Sequence, residues 1–337
     1  MLTIDGSQGE GGGQVLRTSL SLAMITGTPF RIENIRAKRS RPGLLRQHLT
    51  CVNAATQISG AKVTGAEIGS TTVTFEPGAI RAGDYTFAIG TAGATTLVFQ
   101  TVWPALLAAD GPSRVKLSGG THNPFAPAFD YLDRVVCPLL AEMGARVTLR
   151  LDSHGFYPAG GGSFEATIQP ATLTPLVLED AGARLSTRIR ADVANLPYSI
   201  AERELAMAAT LLGWPPESGQ ARTVKADGPG NVVTVEIAHA NVTEMFTSFG
   251  EQGRTAEAVA AAAVEAAQDY LSAQAPVGPH LADQLLLPMA LAGGGSFITS
   301  RPTQHTRTNI AVIETFLPVE ITITDLDAKR CRVVVTK

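Results

Sequence analysis

Apolar positions along the chain switch between period two and helical spacing, and the switch recurs in one order. Leu2 to Asp5 predicts a short strand, and a glycine loop from Gly9 to Gly13 follows it. A helix is expected from Gln14 to about Gly27, then a strand from Phe30 to Arg36. A second helix is expected from about Pro42 to Ser59, with proline at its start and Gly60 at its end. Two β-rich runs, Lys62 to Ile68 and Thr71 to Glu76, close this first unit.

The same order returns. Tyr85 to Ile89 predicts a strand, Gly90 to Gly93 a loop, and a helix reaches Ala109. A strand at Arg114 to Ser118, a helix from about Pro124 to Met143, and strands at Arg146 to Leu151 and Ser163 to Ile168 complete the second unit. A third unit begins with a strand at Thr174 to Leu178, but no helix follows there. It resumes with a helix near His280 to Leu291, a strand at Ser296 to Ser300, a helix at Asn309 to Phe316, and strands Val319 to Thr324 and Cys331 to Thr336. Gln100 stands four residues before Pro104, and Gln284 four residues before Pro288, so the two helices match in detail.

The interruption predicts strands near Ser186 to Val193, Ala221 to Lys225 and Asn231 to His239. Helices are expected near Ser199 to Leu212 and from Arg254 to Leu271, with a turn at Asp227 to Gly230. The expected fold is therefore α+β in α/β layers. Three βαβαββ units build a large domain from residues 1–180 and 276–337, and residues 181–275 form a smaller inserted α/β domain.

Composition agrees with a packed protein. Of 337 residues, 45% are hydrophobic and 17% charged, which excludes a disordered chain. A net charge of −3 requires any nucleic-acid contact to be local. Three scattered cysteines, Cys51, Cys137 and Cys331, form no CxxC pair and point to a reducing, cytoplasmic setting. The N-terminal run lacks the pattern of a signal peptide, and no stretch is apolar for long enough to span a membrane.

Candidate chemistry gathers at loops. Gly9-Glu10-Gly11-Gly12-Gly13-Gln14 is either a bare tight turn or an anion cradle at a helix start. It lacks the GK[ST] of a Walker loop. From Arg36 to Arg46, five basic residues fall within eleven positions, read either as a solvated face or as a phosphate site. Thr121-His122-Asn123-Pro124 and His154 through Gly162 are further polar or glycine-rich connections, the second read first as a hairpin. His305 lies in a predicted strand-to-helix loop among Arg301, Arg307 and Asn309, where a neutral imidazole would be a competent nucleophile. No KxDG, HExxH or GxSxG run is present.

Taken in order, these segments resemble the RNA 3′-terminal phosphate cyclase family. The resemblance rests on Gly9 to Gln14, Arg36 to His48, Gly119-Gly120-Thr121 with Asn123-Pro124, His154 to Gly162, Leu281 to Leu285, and His305 before Thr308-Asn309-Ile310. It implies an ATP-dependent ligase that turns an RNA 3′-phosphate into a 2′,3′-cyclic end through histidine–AMP and RNA–adenylate intermediates, with His305 as the histidine. By the same resemblance Gln100, Pro127, His280, Leu281, Ala282, Asp283 and Gln284 would contact ATP. Arg17, Arg36, Arg39, Gln47 and His48 would lie near the phosphates or the RNA end. Glu10 would hold a divalent cation, magnesium or manganese, or orient His305. Relatives carry a tyrosine where this chain has His280, whose imidazole can still stack on a base. Two other readings are a catalytically silent RNA-binding ribosome-assembly relative, which would lack the histidine, and an enolpyruvyl transferase, which would form no covalent AMP.

Overall fold

The computed structural model describes residues 1–337, with Pro216 described for its backbone only. The fold is a mixed α+β arrangement of four four-stranded sheets, each covered by helices. In the first unit β1 (Leu2–Asp5), α1 (Gln14–Thr26), β2 (Phe30–Glu33), α2 (Arg46–Ser59), β3 (Lys62–Thr64) and β4 (Val73–Glu76) follow in order. The second unit has β5 (Asp84–Ala88), α3 (Thr95–Leu106), β6 (Ser113–Gly119), α4 (Phe129–Tyr131), a π-helical turn (Leu132–Val136), α5 (Cys137–Glu142), β7 (Arg146–Ser153) and β8 (Gly162–Gln169). Then come β9 (Leu176–Leu178), and, in the interruption, β10 (Arg184–Ala194), α6 (Ser199–Leu212), β11 (Gly219–Thr223), β12 (Gly230–His239), β13 (Thr243–Phe249) and α7 (Ala256–Ala273). The chain closes with α8 (Pro279–Ala292), β14 (Gly294–Ser300), α9 (Gln304–Phe316), β15 (Glu320–Asp325) and β16 (Arg330–Thr336).

Three sheets share one topology. The first strand runs parallel to the second, the second pairs antiparallel with the fourth, and the fourth with the third: β1-β2-β4-β3, β5-β6-β8-β7 and β9-β14-β16-β15. Parallel first and second strands need a crossover helix, which α1, α3 and α8 supply. In the third sheet β9 and β14 are still neighbours, with Leu176 opposite Gly295, although the interruption separates them in sequence. Alternation sets the buried face: along β8, Phe164, Ala166 and Ile168 point inward, and Phe164 sits opposite Leu117.

One apolar cluster runs through all three units, and a second one lies in the interruption. In the interruption's sheet, Ile189, Ala191 and Val193 of β10 and Val233, Val235 and Ile237 of β12 pack with Ala201, Ala208, Val259 and Ala263 of α6 and α7. The intervening residues Arg190, Asp192 and Glu236 occupy the other face and are also buried. That face meets the second unit through ion pairs of Asp130 with Arg190 and of Arg134 with Glu236.

Several boundaries differ from the expectation. β2 stops at Glu33 because Asn34 and Arg36 turn into the left-handed region, with φ 54° and 55°. α2 begins at Arg46, four residues after Pro42, because Leu45 is extended and Leu44 is buried. The segment after Pro124 becomes helical only at Phe129. α9 begins at Gln304 rather than Asn309, because Thr303 caps it, its Oγ1 accepting from Thr306 N at 3.2 Å. β13 was not expected at all. Its Glu244, Met245 and Phe246 are buried in succession, so the run shows no alternation.

Candidate active site

Helices α1 and α9 lie side by side and carry matched polar residues at four-residue spacing. Gln14 and Thr18 share one face of α1, while His305 and Asn309 share one face of α9. They meet rung by rung: His305 Nδ1 lies 2.8 Å from Gln14 Oε1, and Thr18 Oγ1 donates to Asn309 Oδ1 at 2.8 Å. Asp283 of α8 completes the ladder. Gln14 Nε2 donates to both Asp283 carboxylate oxygens at 2.9 and 2.8 Å, and Asn309 Nδ2 donates to the Asp283 carbonyl at 3.3 Å.

This network determines the imidazole tautomer. The Gln14 amide must turn its NH₂ toward a carboxylate, so its carbonyl oxygen faces His305. Nδ1 therefore carries a proton and donates to Gln14. Nε2 points to Glu10, whose Oε2 lies 2.7 Å away, and His305 is half-exposed on that side.

The glycine loop brings Glu10 to this position. Gly9 has φ 60°, and a Cβ there would overlap Thr308 of α9, so glycine lets the loop lie against that helix. Lys38 Nζ donates to the Gly9 carbonyl at 2.8 Å, and Arg39 Nη2 lies 3.2 Å from Glu10 Oε2. Burial alone would raise the Glu10 carboxyl, but the hydrogen bond and charge of His305, with Arg39 and Arg17, bring it below the usual range. In return, the Glu10 hydrogen bond and charge lift His305 above its ordinary value, against the effect of burial.

The other expected residues fall into groups. His48 is buried behind the loop; burial, then the charges of Arg17 and Arg36, push its imidazole down to about 3, so it is neutral at working pH. A Cβ on Gly13 would stand 2.9 Å from Arg17 Nη1 and closer still to His48 Nε2. Both side chains therefore reach the start of α1. Arg36 turns inward, its Nη1 donating to the carbonyls of Arg41 at 2.5 Å and Gly43 at 3.0 Å. Gln47 accepts from Ala94 N at 2.7 Å and so caps α3. Gln100 Nε2 donates to Gln284 Oε1, joining the two repeat-equivalent positions. Leu281 and Ala282 are buried in the core, whereas His280 is exposed and Pro127 half-buried.

The profile of the family described as "RNA 3'-terminal phosphate cyclase" matches residues 8–323. A protein of Ectopseudomonas mendocina named "RNA 3'-terminal phosphate cyclase" is 55% identical over 324 residues, covering 96% of this chain and 95% of its own. A Pseudomonas fluorescens protein of the same name is 58% identical over 314 residues, covering 92% and 91%. The chain belongs to the RNA 3′-terminal phosphate cyclase family. Among solved structures, the enolpyruvyl transferase NikO from Streptomyces tendae covers 99% of this chain and 48% of its own at 11% identity and TM-score 0.37, too slight a likeness to carry an argument.

Within this family member, the sequence alone gives Gln14 and Thr18 no role, and suggests Asn309 only as a neighbour suited to a nucleotide phosphate. Their signal was present as paired i, i+4 polar positions on two apolar helices. For a divalent cation, Glu10 is the carboxylate at hand. No grouping of three or more His, Cys, Asp or Glu side chains occurs among the described residues. Magnesium is commonly held by one or two carboxylates with substrate phosphates, so a single carboxylate fits.

A second histidine cluster lies apart from His305. His122 is buried, its Nδ1 2.9 Å from Thr121 Oγ1 and its Nε2 2.8 Å from Asp130 Oδ2. Asp130 Oδ1 lies 2.5 Å from Arg190 Nη2, and Arg190 Nε lies 3.1 Å from Asp192 Oδ2. The angles at Arg190 do not suit directed hydrogen bonds, so these contacts act mainly through charge. Arg222 grips Asp192 with two hydrogen bonds of 2.7 Å. His154 stacks on His122 with ring centres 4.5 Å apart; burial, then His122, lowers its imidazole to about 4.

Proposed function

We propose that this protein converts an RNA 3′-terminal phosphate into a 2′,3′-cyclic phosphodiester using ATP, with His305 as the nucleophile. The observation that carries the reading is the Gln14–His305–Glu10 arrangement. Gln14 holds the proton on Nδ1, leaving Nε2 as the attacking atom once its proton passes to Glu10 or water. Nε2 then attacks the α-phosphorus of ATP, and pyrophosphate leaves. AMP next moves to an oxygen of the RNA 3′-phosphate, freeing His305. Finally the vicinal 2′-hydroxyl loses its proton and attacks the activated phosphorus, and AMP leaves. Adenylation supplies a leaving group that a bare phosphate lacks, and the neighbouring hydroxyl acts by proximity.

In this reading Arg39, Arg17 and His48 surround the phosphates at the glycine loop, where charge develops during transfer. Arg36 shapes the basic loop. Gln47 and Gln100 hold the second unit's loop and helix against the site. Pro127 and His280 flank the adenine, while Leu281 and Ala282 contribute backbone only. A magnesium or manganese ion would be held by Glu10 with the ATP phosphates and would neutralise phosphate charge. We also propose residues 181–275 as a separate inserted domain and the cytoplasm as the site of action. No helix among the described residues is long and apolar enough to cross a membrane.

The test uses ATP labelled at the α-phosphate, supplied with magnesium or manganese and followed by denaturation. Acid-labile, alkali-stable label on the wild-type protein and none on His305→Ala is the expected result. Equal labelling of the variant would remove His305 from the mechanism. An unlabelled wild-type protein that still binds RNA would favour the silent relative.

A further inference from the structure

Two loops of the second unit hold large rings in solvent. Phe125 is 102% exposed and Tyr157 70% exposed relative to an extended reference. Phe125 also has φ 64°, a region that bulky side chains rarely adopt. Buried Asn123 keeps it there by donating from Nδ2 to the Ala92 carbonyl, and Phe129 N donates to the Thr121 carbonyl at 2.9 Å. The loop of Tyr157 rests on the same floor. A Cβ on Gly160 would lie 2.9 Å from Ala92 Cα and 3.0 Å from the Thr91 oxygen. His122 N donates to the Gly155 carbonyl at 3.1 Å and ties the two loops together.

The floor, Gly90 to Ala94, has a third neighbour. Gln47 binds Ala94 N, and exposed Arg46 places Nη1 3.7 Å from where a Cβ on Gly90 would stand. The loops that carry the two exposed rings, and an exposed guanidinium, thus border one five-residue segment. That segment consists of two glycines, two alanines and one threonine and carries no large apolar side chain, which argues against a protein-binding patch. Flat rings for bases beside a cation for phosphates are the chemistry that holds single-stranded nucleic acid.

We propose that Phe125 and Tyr157 stack on unpaired bases next to the RNA 3′ end, with Arg46 on the strand's phosphates. This deepens the functional reading above and rests on it. The test measures binding of fluorescent 3′-phosphorylated RNA hexamers without ATP, intact or lacking bases at the second to fourth positions from the end. In the wild-type protein, base removal weakens binding about a hundredfold, as expected for loss of two stacked bases at roughly tenfold each. Phe125→Leu and Tyr157→Leu each lose about tenfold on intact RNA and respond about tenfold less than the wild type to base removal, while Phe125→Trp binds like the wild type. If base removal costs the Leu variants as much as the wild type, the proposal fails. It also fails if the variants bind RNA normally but need more ATP for His305 labelling, which would place the rings on adenine. Labelling of the wild-type protein is scored separately, so loss of the histidine–AMP reading and loss of the stacking platform give different results.

Discussion

His305 and His122 each hold Nε2 within 2.8 Å of a carboxylate, yet they sit in opposite surroundings. His305 is half-exposed, and its Nε2 faces the basic loop through Glu10. His122 is enclosed, and its carboxylate, Asp130, is already bound to Arg190. Burial alone would raise the Asp130 carboxyl, but His122 and Arg190 carry it well below the usual range. One pair faces a surface a phosphate can reach. The other is the first link of a chain of charges that joins the second unit to the sheet of β10 to β13. A histidine–carboxylate pair therefore does not identify an active site; access and the next neighbour decide what it does.

Breaking the enclosed chain should have the largest effect on stability. Asp192→Ala leaves Arg190 and Arg222 without their shared carboxylate, and unfolding free energy should fall by about 3 kcal/mol in a denaturant titration. His305→Ala in the same titration should change little, because its side chain is half-exposed. Equal losses would mean that the two pairs are not structurally different.

For activity the order reverses. Gln14→Leu removes the acceptor of Nδ1 and the donor to Asp283, so the ring is no longer aimed. The rate of His305 labelling should drop about a hundredfold, the scale expected when a reacting group is misplaced by an ångström. A rate within a factor of two of wild type would show that Gln14 does not position the ring.

Glu10→Gln gives the subtlest readout. Glu10 raises the His305 pKa, and His305 acting as the proposed nucleophile must be neutral, so labelling in the wild type should fail as pH falls through that raised value. With glutamine the lift is lost, and the acidic limb should move to lower pH even if the maximal rate falls. An unmoved limb would mean that Glu10 does not control protonation of His305.

Much of this was legible along the chain. The βαβαββ order appears in the alternation of periods, and the Gln100 and Gln284 match proved to be a contact. The loops were harder. Arg36 belongs to a basic run in sequence, but its positive φ turns the guanidinium onto backbone carbonyls, which composition does not encode. α9 starts five residues before its predicted Asn309 because Thr303 caps it, and that shift moves His305 from a loop into the first helical turn.

By itself the sequence determined the strand and helix order apart from β13, the internal repeat and the residue types available for chemistry, because these follow from local periodicity and turn chemistry. Which polar residues meet was decided by the tertiary structure. Gln14 and His305 are 291 positions apart, and only the packing of α1 against α9 joins them. The pairing of Asp130 with Arg190 likewise depends on one sheet face docking against the second unit. Contacts between distant segments depend on how whole helices and sheets pack, and no local pattern carries that information.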